Sequence, residues 1–326
     1  MGVRTLYRIN NIRKFSTTIF MGSNTFIESC NYLSRHLNIK SHEYRGKNAT
    51  FELLKSSVLV AFTGSLRIHL AFLLLQIQSN LLTCLAGGLV VYTVYTLDRT
   101  VGSEEDAINR KELKGSRKEI GLAACIITFL IGSYILAKEG MLIFAFIPFI
   151  TCYLYSKGVK IGKFIFKLKG GFGVKNLVVG FTWGAFIAGL AGRNCKSIFP
   201  ILLVLTFFAV KLFVNSTIFD FKDIKGDTFA GIKTLPVSIG EQNTRKLLNG
   251  MYLLSHVILG IALIHRVIAF EPLIILYSLI CGLICIQKHT KFGEELPSRR
   301  LERIFLVYGE AVSIVGLRMI AGAMLV

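Results

Sequence analysis

The stretch from Asn215 to Pro236, NSTIFDFKDIKGDTFAGIKTLP, packs Asp220, Asp223 and Asp227 into eight residues. At about 100° per residue on a helix, the three fall within roughly 60° of one another, on one face. Carboxylates sharing a face repel unless something positive sits among them. A hard divalent cation such as Mg²⁺ meets that need. It prefers oxygen ligands, keeps several waters, and is commonly held by one or two carboxylates together with substrate phosphates. A second acidic cluster, YTLDRTVGSEEDAINRKELKGSRKE, carries Asp98, Glu104, Glu105 and Asp106, followed by Asn109 and Arg110. Two facing sets of carboxylates can hold cations that clamp a diphosphate and stabilise it as a leaving group. A third stretch, YLYSKGVKIGKFIFKLKGGFGVKNLVVG, sets Tyr155, Lys157, Lys160 and Lys175 among glycines. Lysine is a compact point charge for phosphate, and glycine lets the backbone approach an anion. No strong general base stands out.

These three stretches are loops or helix ends between long apolar runs. Of the 326 residues, 53% are hydrophobic and only 17% charged, against about 25% charged in a soluble protein. The apolar runs are long enough to cross a hydrocarbon core about 30 Å thick. The expected fold is therefore all-α: a polytopic membrane protein, a bundle of about nine transmembrane helices. The spans run roughly over residues 57–77, 80–97, 119–137, 140–155, 175–191, 197–219, 247–264, 269–286 and 303–326. Residues 1–55 read as a basic tail and 56–326 as the transmembrane domain. The Arg-rich start permits a mitochondrial transit peptide or a cytoplasmic tail lying on anionic lipid. The tail reading places the protein in the cell membrane; an organellar membrane is the alternative.

Loop charge orients the spans. With the N-terminus in the cytoplasm, thirty-one Lys and Arg fall on that side, and only Lys138, Arg193, Lys196 and Arg266 on the other. This obeys the positive-inside rule. The net charge of +19 is thus topological, and no nucleic-acid partner is needed to explain it. The two acidic clusters and the lysine-rich loop then share one membrane face. The seven cysteines have neither zinc spacing nor a disulfide framework and read as small apolar fillers.

Acidic–basic–acidic loops between nine spans resemble the UbiA superfamily of intramembrane prenyltransferases. The most specific part is Asp223-x-x-x-Asp227 followed by Gly231-Ile232-Lys233-Thr234-Leu235-Pro236, close to that family's D-x-x-x-D and G-x-[KR]-T-L-P. The segment YLYSKGVK with GVKNLVVG resembles its Y-S…K…K-N element. The first motif departs: against N-x-x-x-D-x-x-x-D, Asp98 is kept, Val94 stands for the Asn and Gly102 for the second Asp. Asp106 lies four residues further on and is placed to substitute, if the chain breaks at Gly102-Ser103. Asn109-Arg110 matches the N-R that follows the motif.

The resemblance implies a central cavity capped by cytoplasmic loops and Mg²⁺-dependent transfer of a prenyl group from a prenyl diphosphate to a hydrophobic acceptor, aromatic or polar-lipid, within the membrane lipid. It implies Asp98, Asp223 and Asp227 as catalytic carboxylates and Asp98, Asp106, Asp223 and Asp227 as metal ligands. Substrate-binding candidates are Arg99, Arg110, Tyr155, Lys157, Lys160, Lys175, Asn215, Lys233 and the in-membrane Arg67. Lys211 and Arg318 are the other charges inside spans, where ionisable groups default to functional hypotheses. Phe181, Trp183 and Phe186 are candidate aromatic faces for an allylic cation. A transporter is the competing class, disfavoured because the acids lie at helix ends rather than mid-membrane. An inactive scaffold relative is the other, motivated by Val94 and Gly102.

Overall fold

A computed structural model describes residues 49–102, 109–156, 159–161, 164–166, 173–229, 231–293 and 296–324. Asp106 and Lys157 lie outside the described residues, as do the tail residues 1–48. Helices α1 (Ala49–Leu74), α2 (Leu81–Val101), α3 (Lys118–Lys138) and α4 (Leu142–Ser156) are followed by a hairpin of β1 (Val159–Ile161) and β2 (Phe164–Phe166). Then come α5 (Val174–Gly192), α6 (Ile198–Phe229), α7 (Leu235–Ile264), α8 (Pro272–His289), α9 (Pro297–Ile304) and α10 (Glu310–Met324). A single π-helical stretch, Phe305–Gly309, separates the last two. The described residues divide into two units, residues 296–304 and the bundle formed by the rest.

The expected all-helical bundle is present, with two refinements. Among the described residues, eight helices are long and apolar enough to cross a membrane, and the expected fourth span is a shorter apolar helix, Leu142–Leu154. The lysine-rich loop contains an antiparallel pairing in which Lys160 stands opposite Ile165. Helix α1 also starts at Ala49, inside the segment read as tail. A helix is the economical solution here, because lipid offers no partner to a backbone N–H or C=O.

Local sequence sets the boundaries. Asn80 caps α2 by accepting from the Thr83 amide at 3.1 Å. Helix α2 stops at Gly102, whose φ of 59° lies in the region that disfavours a Cβ. The connector after α6 ends that helix with Gly231 at φ 68°. The Gly231 amide bonds back to the Thr228 carbonyl at 3.1 Å, and the Ile232 amide to that of Asp227 at 2.8 Å. These are the two bonds of a Schellman stop. Pro236 then sits in the first turn of α7, where a missing N–H costs nothing.

The helices pack through small residues. A Cβ on Gly180 would meet the Ala209 carbonyl at 2.5 Å, and one on Gly184 the Ala209 amide at 2.8 Å. Only glycine lets α5 approach α6 so closely. That approach fixes the start of α5, which carries Lys175 and Asn176, against the acidic end of α6. Large apolar side chains such as Ile126, Ile127 and Leu130 on α3 and Ile143 on α4 are exposed, as a lipid-facing surface requires.

Candidate active site

Helix α6 builds one wall of a cavity of about 280 Å³. Asn215, Phe219, Asp223 and Asp227 recur every four residues and all line it, so they form one ridge of the helix. The adjacent ridge contributes Leu212, Ser216 and Asp220. From one end to the other, α6 thus passes from apolar lining to carboxylates. Asp98, Arg99 and Arg110 from the end of α2 and the segment after it line the same cavity, with Lys175 of α5 and Arg67 of α1. The C-terminal ends of α2 and α6 therefore meet at one site, in keeping with the expectation from span order that both acidic clusters share one membrane face.

The charges are interleaved. Lys175 Nζ lies 2.7 Å from Asp220 Oδ1 and 3.6 Å from Asp227 Oδ2. Asn176 donates from Nδ2 to the other oxygen of Asp220 at 2.7 Å and to Ser216 Oγ at 3.1 Å. Arg110 Nη1 is 3.4 Å from Asp98 Oδ2, and Lys222 Nζ is 3.7 Å from Asp223 Oδ1. Asp220 and Asp227 are each 1% exposed, so the Lys175 ammonium compensates carboxylate charge that is buried in the protein.

The divergent first motif is bridged by geometry. Helix α2 ends at Gly102, and Asn109 Nδ2 donates to the Asp223 carbonyl at 3.4 Å. A Cβ on Gly226 would lie 2.4 to 2.6 Å from the Asn109 amide group; only the bare backbone there leaves room for that side chain. Asn109-Arg110 thereby links the α2 end to the α6 end. Val94, at the position of the missing Asn, lines the cavity one helical turn before Asp98.

Below the carboxylates the walls are aromatic. Tyr95 stacks on Trp183 with ring centroids 5.6 Å apart and planes 19° from parallel, and Phe186 meets Trp183 edge-on at 5.6 Å. Trp183 lines the cavity, Phe186 is buried behind it, and Phe181 is exposed. Arg99 is held by Ser57 Oγ at 2.8 Å and the Tyr95 carbonyl at 3.2 Å.

The remaining expected site residues fall as follows. Lys233 is exposed on the α6–α7 connector and is not among the described lining residues. Tyr155 lies in the last turn of α4 and Lys160 in β1. Lys211 is buried in an ion pair with Glu310 and donates to Ser278 Oγ at 2.6 Å, outside the cavity lining. Arg318 binds both carboxylate oxygens of Glu271 at 2.8 to 3.1 Å. Residues of the site that the sequence does not single out for a role there include Tyr95, Asn109, Asn176, Lys222 and Tyr308, together with Asp220 in its role as the partner of Lys175. Asn176 carried a signal in its adjacency to Lys175 within the K-N element; Tyr308 carried none.

The UbiA prenyltransferase family matches residues 79–308. The chain belongs to this family. A UbiA-type relative, the digeranylgeranylglyceryl phosphate synthase of Sulfolobus acidocaldarius, is 30% identical over 186 residues, 54% of this chain and 58% of that protein. The chain thus spans under two thirds of the length of that curated relative. Two solved structures share the UbiA fold. One, a UbiA homolog from Archaeoglobus fulgidus bound to DMAPP and Mg²⁺, has a TM-score of 0.55 at 16% identity, over 82% of this chain and 99% of its own. The other, from work on digeranylgeranylglyceryl phosphate synthase in membranes, has a TM-score of 0.52 at 18% identity, over 85% and 98%.

Among the described residues, no three His, Cys, Asp or Glu side chains stand together as a ready-made metal cage. The donor chemistry nevertheless fits Mg²⁺. That ion takes one or two carboxylates and completes its shell with water and phosphate oxygens rather than with an all-protein cage. Asp98 and the Asp223/Asp227 ridge line one cavity, and Asp223 Oδ1 is a buried oxygen that accepts no hydrogen bond from the described residues.

Proposed function

We propose that the chain transfers a prenyl group from a prenyl diphosphate to an acceptor held in the membrane, with Mg²⁺ as cofactor. One observation carries this reading: carboxylates and cations interleave at one end of a cavity whose walls become aromatic and apolar beyond them. A prenyl diphosphate has that same division, a polyanionic head on an apolar, unsaturated tail. Asp98, Asp223 and Asp227 are the residues that would hold Mg²⁺, with Asp106 as a further candidate. When bound, the metal neutralises the diphosphate and makes it a better leaving group.

The chain's own groups do the rest. Arg99, Arg110 and Lys175 are placed to bind phosphate oxygens, and Asn215 offers a buried Nδ2 donor with no hydrogen-bond partner among the described residues. The allylic C–O bond breaks with its electron pair leaving on the diphosphate. Tyr95 and Trp183 face the cationic carbon with their π systems. The acceptor's oxygen or aromatic carbon then supplies the pair for the new bond to that carbon and releases its proton. The apolar wall excludes water, which would otherwise trap the cation. The Sulfolobus relative makes a polar glyceryl lipid the first acceptor to test, with aromatic acceptors second. The loop charges support a cell-membrane orientation with the N-terminus cytoplasmic.

The test is release of labelled diphosphate by the purified protein in lipid nanodiscs, with prenyl diphosphates of several chain lengths. Release should require both Mg²⁺ and acceptor and should stop in Asp223→Asn. Folded protein that releases nothing from any donor, with acceptors of both classes, would overturn the proposal and favour the inactive-scaffold reading.

A further inference from the structure

The π-helical stretch Phe305–Gly309 is gripped at three consecutive carbonyls by side chains of other helices. Cys281 Sγ of α8 donates to the Leu306 carbonyl at 3.4 Å. Arg67 Nη2 of α1 donates to that of Val307 at 2.9 Å. Thr63 Oγ1, also of α1, lies 3.2 Å from that of Tyr308 and shares its one proton between it and the Leu59 carbonyl at 2.8 Å. Immediately afterwards Glu310 is tied to Lys211 of α6. A π turn is a poorer helix than its neighbours and concentrates at functional positions. Here it has been given external partners in lipid, where an unsatisfied carbonyl is costly. This also accounts for Arg67, a guanidinium inside a span and 6% exposed.

The clamped segment delivers Tyr308 to the cavity. Val307 and Tyr308 both line it, and the Tyr308 ring lies against Phe219 with centroids 6.0 Å apart. Phe219 precedes Asp223 by four residues, about 6 Å along the helix axis. Tyr308 therefore stands one helical turn from the carboxylates, on the aromatic side. If the diphosphate head is held at Asp223, the allylic carbons bonded to it come to this level.

We propose that Tyr308 is a contact residue for the allylic unit of the donor, its ring facing the carbon that becomes cationic, and that Thr63, Arg67 and Cys281 are positioning residues that hold the π turn behind it. This rests on the prenyl-transfer reading above. A desolvated cation over an aromatic face gains enough to correspond to about 30-fold in rate. The gain arises only as the C–O bond breaks, so it belongs in kcat and not in KM.

The experiment measures kcat and KM for a twenty-carbon allylic diphosphate in nanodiscs, with the acceptor that the wild-type protein uses. Tyr308→Leu should lower kcat by about 30-fold with KM changed less than about threefold. Tyr308→Phe, which keeps the ring, should stay close to wild type. Thr63→Val, outside the cavity lining, should lower kcat by about twofold, less than the roughly fivefold worth of a whole hydrogen bond, because the hydroxyl shares its proton with the Leu59 carbonyl. Should Tyr308→Leu not fold, Tyr308→Met takes its place. Wild-type kcat in the leucine or methionine variant, or a phenylalanine variant as slow as the leucine one, overturns the inference. A rise in KM at unchanged kcat overturns it too, since that marks simple packing. In all of these cases wild-type transfer continues. Absence of turnover in the wild-type protein itself would instead strike the prenyl-transfer reading.

Discussion

Lys175 is the cation on which the acidic end of α6 depends, and Lys175→Met isolates that role because methionine keeps the length and loses the charge. Its ammonium group sits 2.7 Å from Asp220 and 3.6 Å from Asp227, and both aspartates are buried. Removing one partner of a buried pair typically costs 3–5 kcal/mol, because the other charge is left uncompensated. The Lys175 side chain keeps 13% of its surface exposed, so water reaches the pair and the expected cost is about 3 kcal/mol, the lower end of that range. Asp220→Asn alone should cost less, since Lys175 keeps Asp227. In the Lys175→Met background, Asp220→Asn should become stabilising, because it removes a charge with no cation beside it. The assay is a double-mutant cycle on SDS-induced unfolding in mixed micelles. A coupling of about 2 kcal/mol or more is expected for contacting charges. If Lys175→Met costs under about 0.5 kcal/mol, the range of an inconsequential surface substitution, the site does not need its lysine for folding. Equal effects of Asp220→Asn with and without Lys175 would likewise refute the pairing.

Three further outcomes are expected. Asp223→Asn should abolish transfer while leaving the folded amount in membranes nearly unchanged, because one carboxylate leaves a repulsive cluster; full activity in this variant would defeat the metal assignment. Asp106→Asn should weaken apparent Mg²⁺ affinity more than Glu104→Gln or Glu105→Gln, measured at limiting and saturating Mg²⁺, and the reverse ranking would move the role to a glutamate. In a cysteine-free background, single cysteines near Asp98, Ser156, Asp220 and Gln287 should label from the same side as the N-terminal tail; labelling near Lys163 and Lys196 from one side would sink the topology.

The sequence carried the α6 ridge because a helical period is regular. Asp223 and Asp227 stand four residues apart, and the same step backward reaches Asn215 through Phe219. Arg110 was legible through the Asn109-Arg110 pair that resembles the family's N-R after the first motif, and it lies 3.4 Å from Asp98 although that motif is altered. Gly102 was legible as a break, because a helix running through it would carry Asp98 and Asp106 about 12 Å apart. Asp220 belongs to the same cluster, but period alone could not separate its role from that of Asp223. Only the close approach of α5, set by Gly180 and Gly184, brings Asn176 to Asp220 and sets Lys175 nearer to Asp220 than to Asp227. Tyr308 was not legible at all. A π turn adds one residue to a helix without a local signature, and here its partners are threonine, arginine and cysteine side chains from helices distant in sequence.

The GIKTLP element shows how one motif can serve two ends. Its lysine suggests phosphate binding, yet Lys233 is exposed on the connector. Its glycine and proline do a different task that the backbone makes explicit. Gly231 takes the left-handed conformation that stops α6, and the bond from the Ile232 amide lands on the carbonyl of Asp227 itself. Pro236 opens α7 in the next turn. The last carboxylate of the ridge is therefore held in the final turn of its helix by the motif that follows it. A residue with a Cβ at position 231 would strain this stop and fray the turn that carries Asp227, while leaving Asp223, one turn earlier, in place. The spacing between D-x-x-x-D and GIKTLP is thus a structural requirement of the turn that carries Asp227, independent of whether Lys233 ever touches substrate.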